Sequence, residues 1–389
     1  MKRMIALAVL GLTTQAFADR FAGSNDPKMF NPVANNPMNT DFSSLPLDGK
    51  LRDTTLAWSE TYWPSFRGGI AYRWNSKDPQ PFKFRLLTKQ EVLSASEAQL
   101  SELSPAELYD IAMGDYSYTL TKKVLRSTSP KAAWWEGICH GWSLAASNYS
   151  EPAKVVVTNK DGVKVPFGSS DVKGLLAMHD AYNSKGYYVR VGDRCDVRGK
   201  VAGEEDARDG EIGVPSLADQ NKPKCADVNA GAFHVVLTNM IGINSQGFVA
   251  DIDRYSDVWN QPVKAYTTEI VGPVAVTEKE ARAGVKSKLQ VKTRMFYGEE
   301  LQFYSPEREA RGEIAWVSKE PVAGTIHEKT LFKNYEYILE LDVDGKVIGG
   351  SWVSDTRPDI LWTKKRDAAF RNGKFPLAGL NQIYQPTTH

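Results

Sequence analysis

Alternating apolar and polar positions predict several strands in this chain. Two such runs, at residues 154–158 and 163–167, are separated by the sequence NKDG and predict a β-hairpin. The clearest alternation covers residues 335–348 and contains the turn dipeptide Asp344-Gly345, which predicts a second hairpin. Since the pattern stays mostly strand-like after Pro262, we expect a β-rich C-terminal unit over residues 263–389.

Helix starts are marked by capping sequences. Thr88 with Glu91, and Ser104 with Glu107, fit the capping box in which side chain and backbone satisfy each other at the first helical turn. Ser170 precedes a further helical pattern. Helices followed by antiparallel strands predict an α+β fold.

The first residues have the pattern of a targeting signal. Lys2 and Arg3 precede the apolar residues 4–12, and the small-residue motif AFA follows. This order predicts a secretory signal peptide over residues 1–18, hence export to the periplasm or the medium. No other stretch approaches the roughly 20 apolar residues of a spanning helix, so we expect no membrane span.

Composition excludes several classes of protein. With 42% hydrophobic and 11% aromatic residues the chain is not intrinsically disordered. The 48 basic residues are balanced by 47 acidic ones, so no positive field favours binding to nucleic acid.

The three cysteines occupy contrasting surroundings. Cys195 and Cys225 lie in a polar stretch, residues 192–229, that has neither helical nor strand periodicity. A disulfide between them would offset part of the entropy of ordering such a loop. Cys139 would then remain as a free thiol.

Cys139 is the candidate nucleophile. It lies in the sequence WWEGICHGWSLAA, between Gly137 and Gly141, and the SLAA segment predicts a buried helix. A cysteine at a helix N-terminus is expected to have a lowered pKa, because the helix dipole stabilises the thiolate. An inert buried cysteine is the alternative, but the flanking glycines and the leftover thiol favour the nucleophile.

A nucleophilic cysteine needs a base and a group that orients the base. His234 begins an apolar run that we interpret as a strand, and the run FVADID is the expected returning strand with Asp251 and Asp253 on one face. Asp251 is preferred to Asp253 as the third residue of the catalytic triad, because it lies nearer in register to His234. A core histidine and a calcium-binding acid pair are the alternatives. The sequence contains no EF-hand loop and indicates no required cofactor, and it leaves a dependence on Ca²⁺ open.

Three motifs resemble the transglutaminase elicitor family of oomycete plant pathogens and their bacterial relatives. They are GICHGWS at residues 137–143, AFHVV at residues 232–236 and DVWNQPV at residues 257–263. Together with shorter blocks, the similarity spans residues 134–362. The resemblance implies a papain-like, transglutaminase-like catalytic core, which we place at residues 19–262.

The resemblance also implies a reaction. The Cys139 thiolate would attack the γ-carboxamide of a protein or peptide glutamine, with His234 as acid and base and Asp251 as its orienting acid. An amine donor attacking the thioester would give an isopeptide bond, whereas water would give deamidation.

Neighbours of the nucleophile have supporting roles in this interpretation. The Cys139 backbone N–H and an indole N–H of Trp134 or Trp135 are the expected oxyanion donors. His140 is expected to contact substrate or to pack.

Two other functions are alternatives to transglutaminase activity. A cysteine amidase or endopeptidase acting on cell-wall peptides would need the same three residues. A non-catalytic glycan-binding protein could use the aromatic-rich residues 56–84 as a platform. The presence of all three candidate catalytic residues favours an enzyme.

Overall fold

The structure is a computed structural model that describes residues 21, 23–193, 227–252, 258–301 and 330–387. Three predictions lie outside these residues. They are the signal peptide, the disulfide between Cys195 and Cys225, and the position of Asp253.

The described helices confirm the two capping boxes but not the helix start at Ser170, which is the second residue of a helix whose N-cap is Gly168. Both predicted capping boxes, at Thr88 and at Ser104, are formed. The α-helices are α1 Lys89–Ser94, α2 Glu97–Leu100, α3 Pro105–Ala112, α4 Thr119–Ser127, α5 Cys139–Asn148, α6 Ser169–Tyr182, α7 Ala230–Leu237, α8 Glu278–Arg282 and α9 Leu380–Ile383. Short 3₁₀ turns occupy Gly23–Asn25, Pro27–Phe30, Phe42–Ser44, Ser65–Arg67 and Gly69–Ala71. None of the described helices is long and apolar enough to cross a membrane.

The strands form one large antiparallel sheet and one hairpin. The strands are β1 Asp48–Lys50, β2 Val155–Thr158, β3 Lys164–Phe167, β4 Tyr188–Val191, β5 Phe248–Asp251, β6 Asn260–Val274, β7 Ser287–Gly298, β8 Thr330–Leu341, β9 Val347–Trp352 and β10 Ile360–Lys364. The large sheet has the order β4-β10-β5-β6-β7-β8-β9, with β1 added on β6. Strands β2 and β3 form the hairpin that was predicted at residues 154–167. Helices and an antiparallel sheet confirm the α+β class.

Strand β6 crosses the boundary that the sequence predicts after residue 262. It pairs with β5 on one side and with β7 on the other. Strands from the predicted catalytic region and from the β-rich unit therefore belong to the same sheet.

The hydrophobic core has two main clusters. One cluster fills the space among the helices α3, α5 and α6, and the other lies between the sheet and α7. Trp58 and Trp63 are 2% and 1% exposed and belong to the helical cluster. These two aromatic rings are core residues and are not available as a surface platform for a glycan.

The prediction of a strand around His234 is wrong. Residues 230–237 form α7, and a π-helical turn, Thr238–Ile243, follows. Asn229 caps α7 by accepting from the backbone N–H groups of Gly231 and Ala232. The helix is buried on all sides, so its apolar run has no helical periodicity and could not be distinguished from a buried strand.

Candidate active site

Cys139 is the first residue of α5, as the sequence predicts. The backbone N–H of Ile138 donates to the Tyr62 carbonyl at 2.7 Å and fixes the approach to the helix. Gly141 lies so close to α6 that an added Cβ would be 2.1 Å from the Ala177 carbonyl oxygen. Glycine is therefore required here, because a larger residue would push α5 away from α6 and move Cys139.

The Cys139 side chain lines a narrow cleft with an internal volume of about 20 Å³. Its other lining residues are Tyr62, Trp134, Trp135, Val258, Trp259 and Glu300. The rings of Trp134 and Trp259 lie 6.2 Å apart. Both indoles expected near the nucleophile thus line its cleft, with Trp134 and Trp135 each about half exposed.

An amide group contacts the sulfur. Asn260 Nδ2 is 3.8 Å from Cys139 Sγ, and the Val258 carbonyl oxygen is 4.0 Å from Sγ. The Asn260 Oδ1 accepts from the Trp362 indole N–H at 2.7 Å. The sequence places Asn260 in a motif shared with the family but does not reveal this contact, because β10 brings Trp362 to the site from a distant part of the chain.

The pKa of the Cys139 thiol is raised to about 12, mainly by burial and then by the Glu300 carboxylate. The hydrogen bond from Asn260 acts in the opposite direction. The expected lowering of this pKa is therefore wrong, since desolvation exceeds the effect of the hydrogen bonds that lower it. The pKa of Glu300 is itself raised to about 8 by burial.

Asp251 lies behind the cleft wall. It is 1% exposed, it pairs with Asn260 across β5 and β6, and its Oδ1 accepts from the Trp259 backbone N–H at 2.9 Å. Its charge also raises the pKa of Cys139. The structure therefore places Asp251 next to the nucleophile, where it holds the Trp259 segment.

His234 lies in the other core cluster. Its Nδ1 is 2.8 Å from the Tyr337 hydroxyl, which is 2.7 Å from Thr293 Oγ1. Thr293 contacts Thr268, which is eight residues beyond Asn260 on β6. At about 3.3 Å per residue, this corresponds to roughly 26 Å of strand.

His234 is therefore not brought to Cys139. Its hydrogen bonds within the described chain include neither Cys139 nor Asp251. Burial lowers the pKa of its imidazole to about 3, which makes the ring neutral at pH 7. The described site instead groups Cys139 with Asp251, Asn260 and Glu300.

A second cavity, of about 320 Å³, lies beside the cleft. His140 lines this cavity rather than the cleft, and the pKa of its imidazole is lowered by burial. Val258 borders both spaces, and Asn260 borders the second cavity while contacting Sγ. The other lining residues are Leu144, Asp180, Ala181, Tyr188, Ile360, Trp362 and Lys364.

Acidic and histidine side chains do not cluster as metal ligands in the described part of the chain. No group of three or more His, Cys, Asp or Glu residues there could hold a metal ion. The predicted alternative of a calcium pair at Asp251 and Asp253 involves a residue outside the described ranges.

Comparison with known proteins agrees with the motifs. The sequence profile described as "Transglutaminase elicitor" matches residues 29–372. The crystal structure of the GP42 transglutaminase from Phytophthora sojae is similar, with a TM-score of 0.61 and 22% sequence identity. The alignment covers 92% of this chain and 96% of that one. At this identity the likeness shows a shared fold. Curated protein sequences contain no significant match.

Proposed function

Because this chain belongs to the transglutaminase elicitor family, we propose that it is a protein-glutamine γ-glutamyltransferase with Cys139 as its nucleophile. One observation carries the proposal. Cys139 begins a buried helix inside an aromatic cleft and has an amide donor 3.8 Å from its sulfur. A thiol in this setting suits acyl transfer through a thioester.

Glu300 is the proton acceptor in this mechanism. It lines the cleft with Cys139, whereas Asp251 holds the Trp259 backbone from behind the wall. The thiol proton passes to the Glu300 carboxylate as sulfur bonds to the carbonyl carbon of the glutamine γ-carboxamide. The C–N bond then breaks, and Glu300 returns the proton to the departing ammonia. A pKa of about 8 allows Glu300 both to accept and to release a proton near neutral pH.

The amide of Asn260 and the backbone N–H of Cys139 supply the oxyanion donors. Negative charge develops on the γ-carbonyl oxygen as the tetrahedral intermediate forms, and fixed donors stabilise it. Trp134 and Trp135 form walls of the cleft. By limiting water around the thioester they favour transfer to an amine over hydrolysis. We expect this activity outside the cytoplasm, because residues 1–18 have the pattern of a secretory signal peptide.

The activity is tested by incubating the full-length protein with a glutamine-containing peptide and dansylcadaverine, followed by mass spectrometry. Parallel samples contain EDTA or added Ca²⁺. We expect the dansyl amide of the peptide with the wild type and no product with Cys139→Ser. Deamidated peptide alone would indicate the rival amidase, and unchanged peptide would overturn an enzymatic role.

The role of Glu300 has a distinguishing test. Glu300→Gln should slow transamidation at pH 7 by about 10²- to 10⁴-fold, the usual contribution of a general base. The same variant should accelerate alkylation of Cys139 at pH 9, because removing a negative neighbour lowers the thiol pKa. Glu269→Gln, on the exposed part of β6, is the matched control. Loss of both reactions together would instead indicate misfolding of the cleft.

A further inference from the structure

The outer side of helix α4 carries only basic charges. Lys122, Lys123 and Arg126 are exposed, whereas Leu120 and Val124 are fully buried in the helical cluster. With 3.6 residues per turn, the three basic positions share one side of the helix. The helix α4 therefore packs on the core through its apolar side and presents a cationic side to solvent.

The cationic surface continues from α4 towards the mouth of the cleft. Lys131 is exposed and lies three residues before Trp134, which lines the cleft together with Cys139. Three residues span at most about 11 Å. The Tyr62 hydroxyl donates to the Trp134 carbonyl oxygen at 2.5 Å and holds this connection in place. We call the four basic residues, Lys122, Lys123, Arg126 and Lys131, the basic strip.

The charge of the basic strip is not balanced locally. Residues 119–135 contain four basic and no acidic residues, although the whole chain has 48 basic and 47 acidic residues. Asp115 precedes α4 and lies near Lys122, so it offsets part of one charge. The other three members of the strip form no ion pair with another residue of the described chain. They are therefore free to attract acidic groups of a partner.

Two observations favour an acidic protein segment over a lipid surface as this partner. The apolar side of α4 is buried in the core, so the helix has no free apolar side to insert into a bilayer. Trp134 lines the cleft and contacts the ring of Trp259, so this indole is engaged at the site. A chain that places a glutamine in the cleft passes its mouth, where carboxylates on that chain would meet the basic strip.

We propose that the basic strip is a docking surface for the protein substrate and that it selects glutamines flanked by acidic residues. This inference rests on the proposed function and names its substrate class. An extended chain advances about 3.3 Å per residue, so an acidic residue about three positions from the glutamine reaches Lys131. Acidic residues at the next few positions reach α4. The strip contacts no reacting atom, so it should affect KM rather than kcat.

The test compares matched peptides in an ammonia-release assay. Two peptides carry Asp at the third to sixth positions from a single glutamine, one on its amino side and one on its carboxyl side. The neutral reference peptides carry Asn at the same positions. The wild type should have a kcat/KM about 5- to 30-fold higher for one acidic peptide, as expected for three exposed charge pairs. In about 0.5 M NaCl, screening should reduce this preference below about twofold.

Charge reversal tests the basic strip itself. The strip variant combines Lys123→Glu, Arg126→Glu and Lys131→Glu. Its matched control changes the net charge equally at exposed positions elsewhere and combines Lys160→Glu, Lys164→Glu and Lys279→Glu. The strip variant should lose the preference for the acidic peptide and keep the wild-type kcat/KM for the neutral one. The control variant should keep the preference.

Binding provides a readout that does not require turnover. Fluorescence anisotropy with labelled peptides and Cys139→Ser should show the same preference for the acidic peptide. Tighter binding of that peptide without ammonia release by the wild type would overturn the proposed function and leave the docking surface standing.

Three results would overturn the docking surface alone. One is ammonia release with equal kcat/KM for acidic and neutral peptides in the wild type, and another is an equal loss of preference in the strip and control variants. The third is binding to phosphatidylcholine vesicles with 30% phosphatidylglycerol that the strip variant loses, without any preference among peptides. This last result would assign the basic strip to an anionic lipid surface.

Discussion

Trp362 donates its indole N–H to Asn260 Oδ1 at 2.7 Å, and this bond fixes which end of the amide faces the nucleophile. An indole nitrogen is only a donor, so its partner must be the amide oxygen. Nδ2 is thereby directed to Cys139, where it can donate to a thiolate or to an oxyanion.

Replacing either member of this pair should slow the chemistry. Asn260→Ala removes an oxyanion donor and should lower kcat for transamidation by about 10²- to 10³-fold. Trp362→Phe keeps an aromatic ring but frees the amide to rotate, so we expect a loss of about tenfold. Steady-state kinetics at saturating peptide and amine measure both. Full activity in Trp362→Phe would contradict the positioning role of the indole.

His234→Gln should affect stability rather than catalysis. The substitution disturbs the contact with the buried Tyr337 hydroxyl, and an impaired buried hydrogen bond costs about 1–3 kcal/mol of the free energy of unfolding. Urea unfolding measures this loss, and kcat of the folded variant should stay within a few-fold of the wild type. A fall of several orders of magnitude, with folding intact, would restore His234 to the predicted triad.

Alkylation of Cys139 should be slow at neutral pH. Because burial raises the thiol pKa to about 12, the thiolate fraction should increase about tenfold per pH unit between pH 7 and pH 10 without a plateau. Iodoacetamide labelling followed by intact mass measures the rate, with glutathione as the reference thiol. Under non-reducing conditions we expect one added group, on Cys139. Labelling of Cys195 or Cys225 would exclude the predicted disulfide.

Glu60 should make stability depend on pH. Its side chain is fully buried, accepts from Ser170 Oγ at 2.5 Å and has a pKa raised to about 7, mainly by burial. The folded protein therefore holds this proton more tightly than the unfolded chain. The stabilising contribution of the protonated Glu60 side chain is fully present below pH 4.5 and is lost as the pH rises through 7.

Glu60→Gln should reduce this dependence, since an amide stays neutral at both pH values. Relative to the wild type, the variant should gain about 3 kcal/mol between pH 5 and pH 8, from roughly 1.4 kcal/mol per pKa unit. Urea unfolding at both pH values measures the gain, and the exposed Glu97→Gln is the control. An equal pH dependence in wild type and Glu60→Gln would show that another group is responsible.

Local signals in the sequence predict local features of the fold. The capping boxes at Thr88 and Ser104 and the hairpin of β2 and β3 each depend on neighbouring residues, and each is present. The start of α5 at Cys139 is predictable for the same reason.

Features that depend on distant parts of the chain were not predictable. A β-bridge to Glu60 brings Glu300 to the site, and strand β10 brings Trp362 there. The sequence around these two residues contains no local signal for either position. The apolar run containing His234 fits a buried strand as well as a buried helix. The order of residue types does not fix their spatial neighbours.

The continuity of β6 has a consequence for dividing this protein into parts. A fragment ending after residue 262 would keep β5 but lose most of its neighbour β6, and β5 would then become an open sheet edge. Open edges recruit strands from other molecules and lead to aggregation. A fragment beginning after residue 262 would lack β4 and β5, the neighbours of β10. The two parts are therefore best expressed together, and chimeras between relatives should exchange β5 and β6 as one unit.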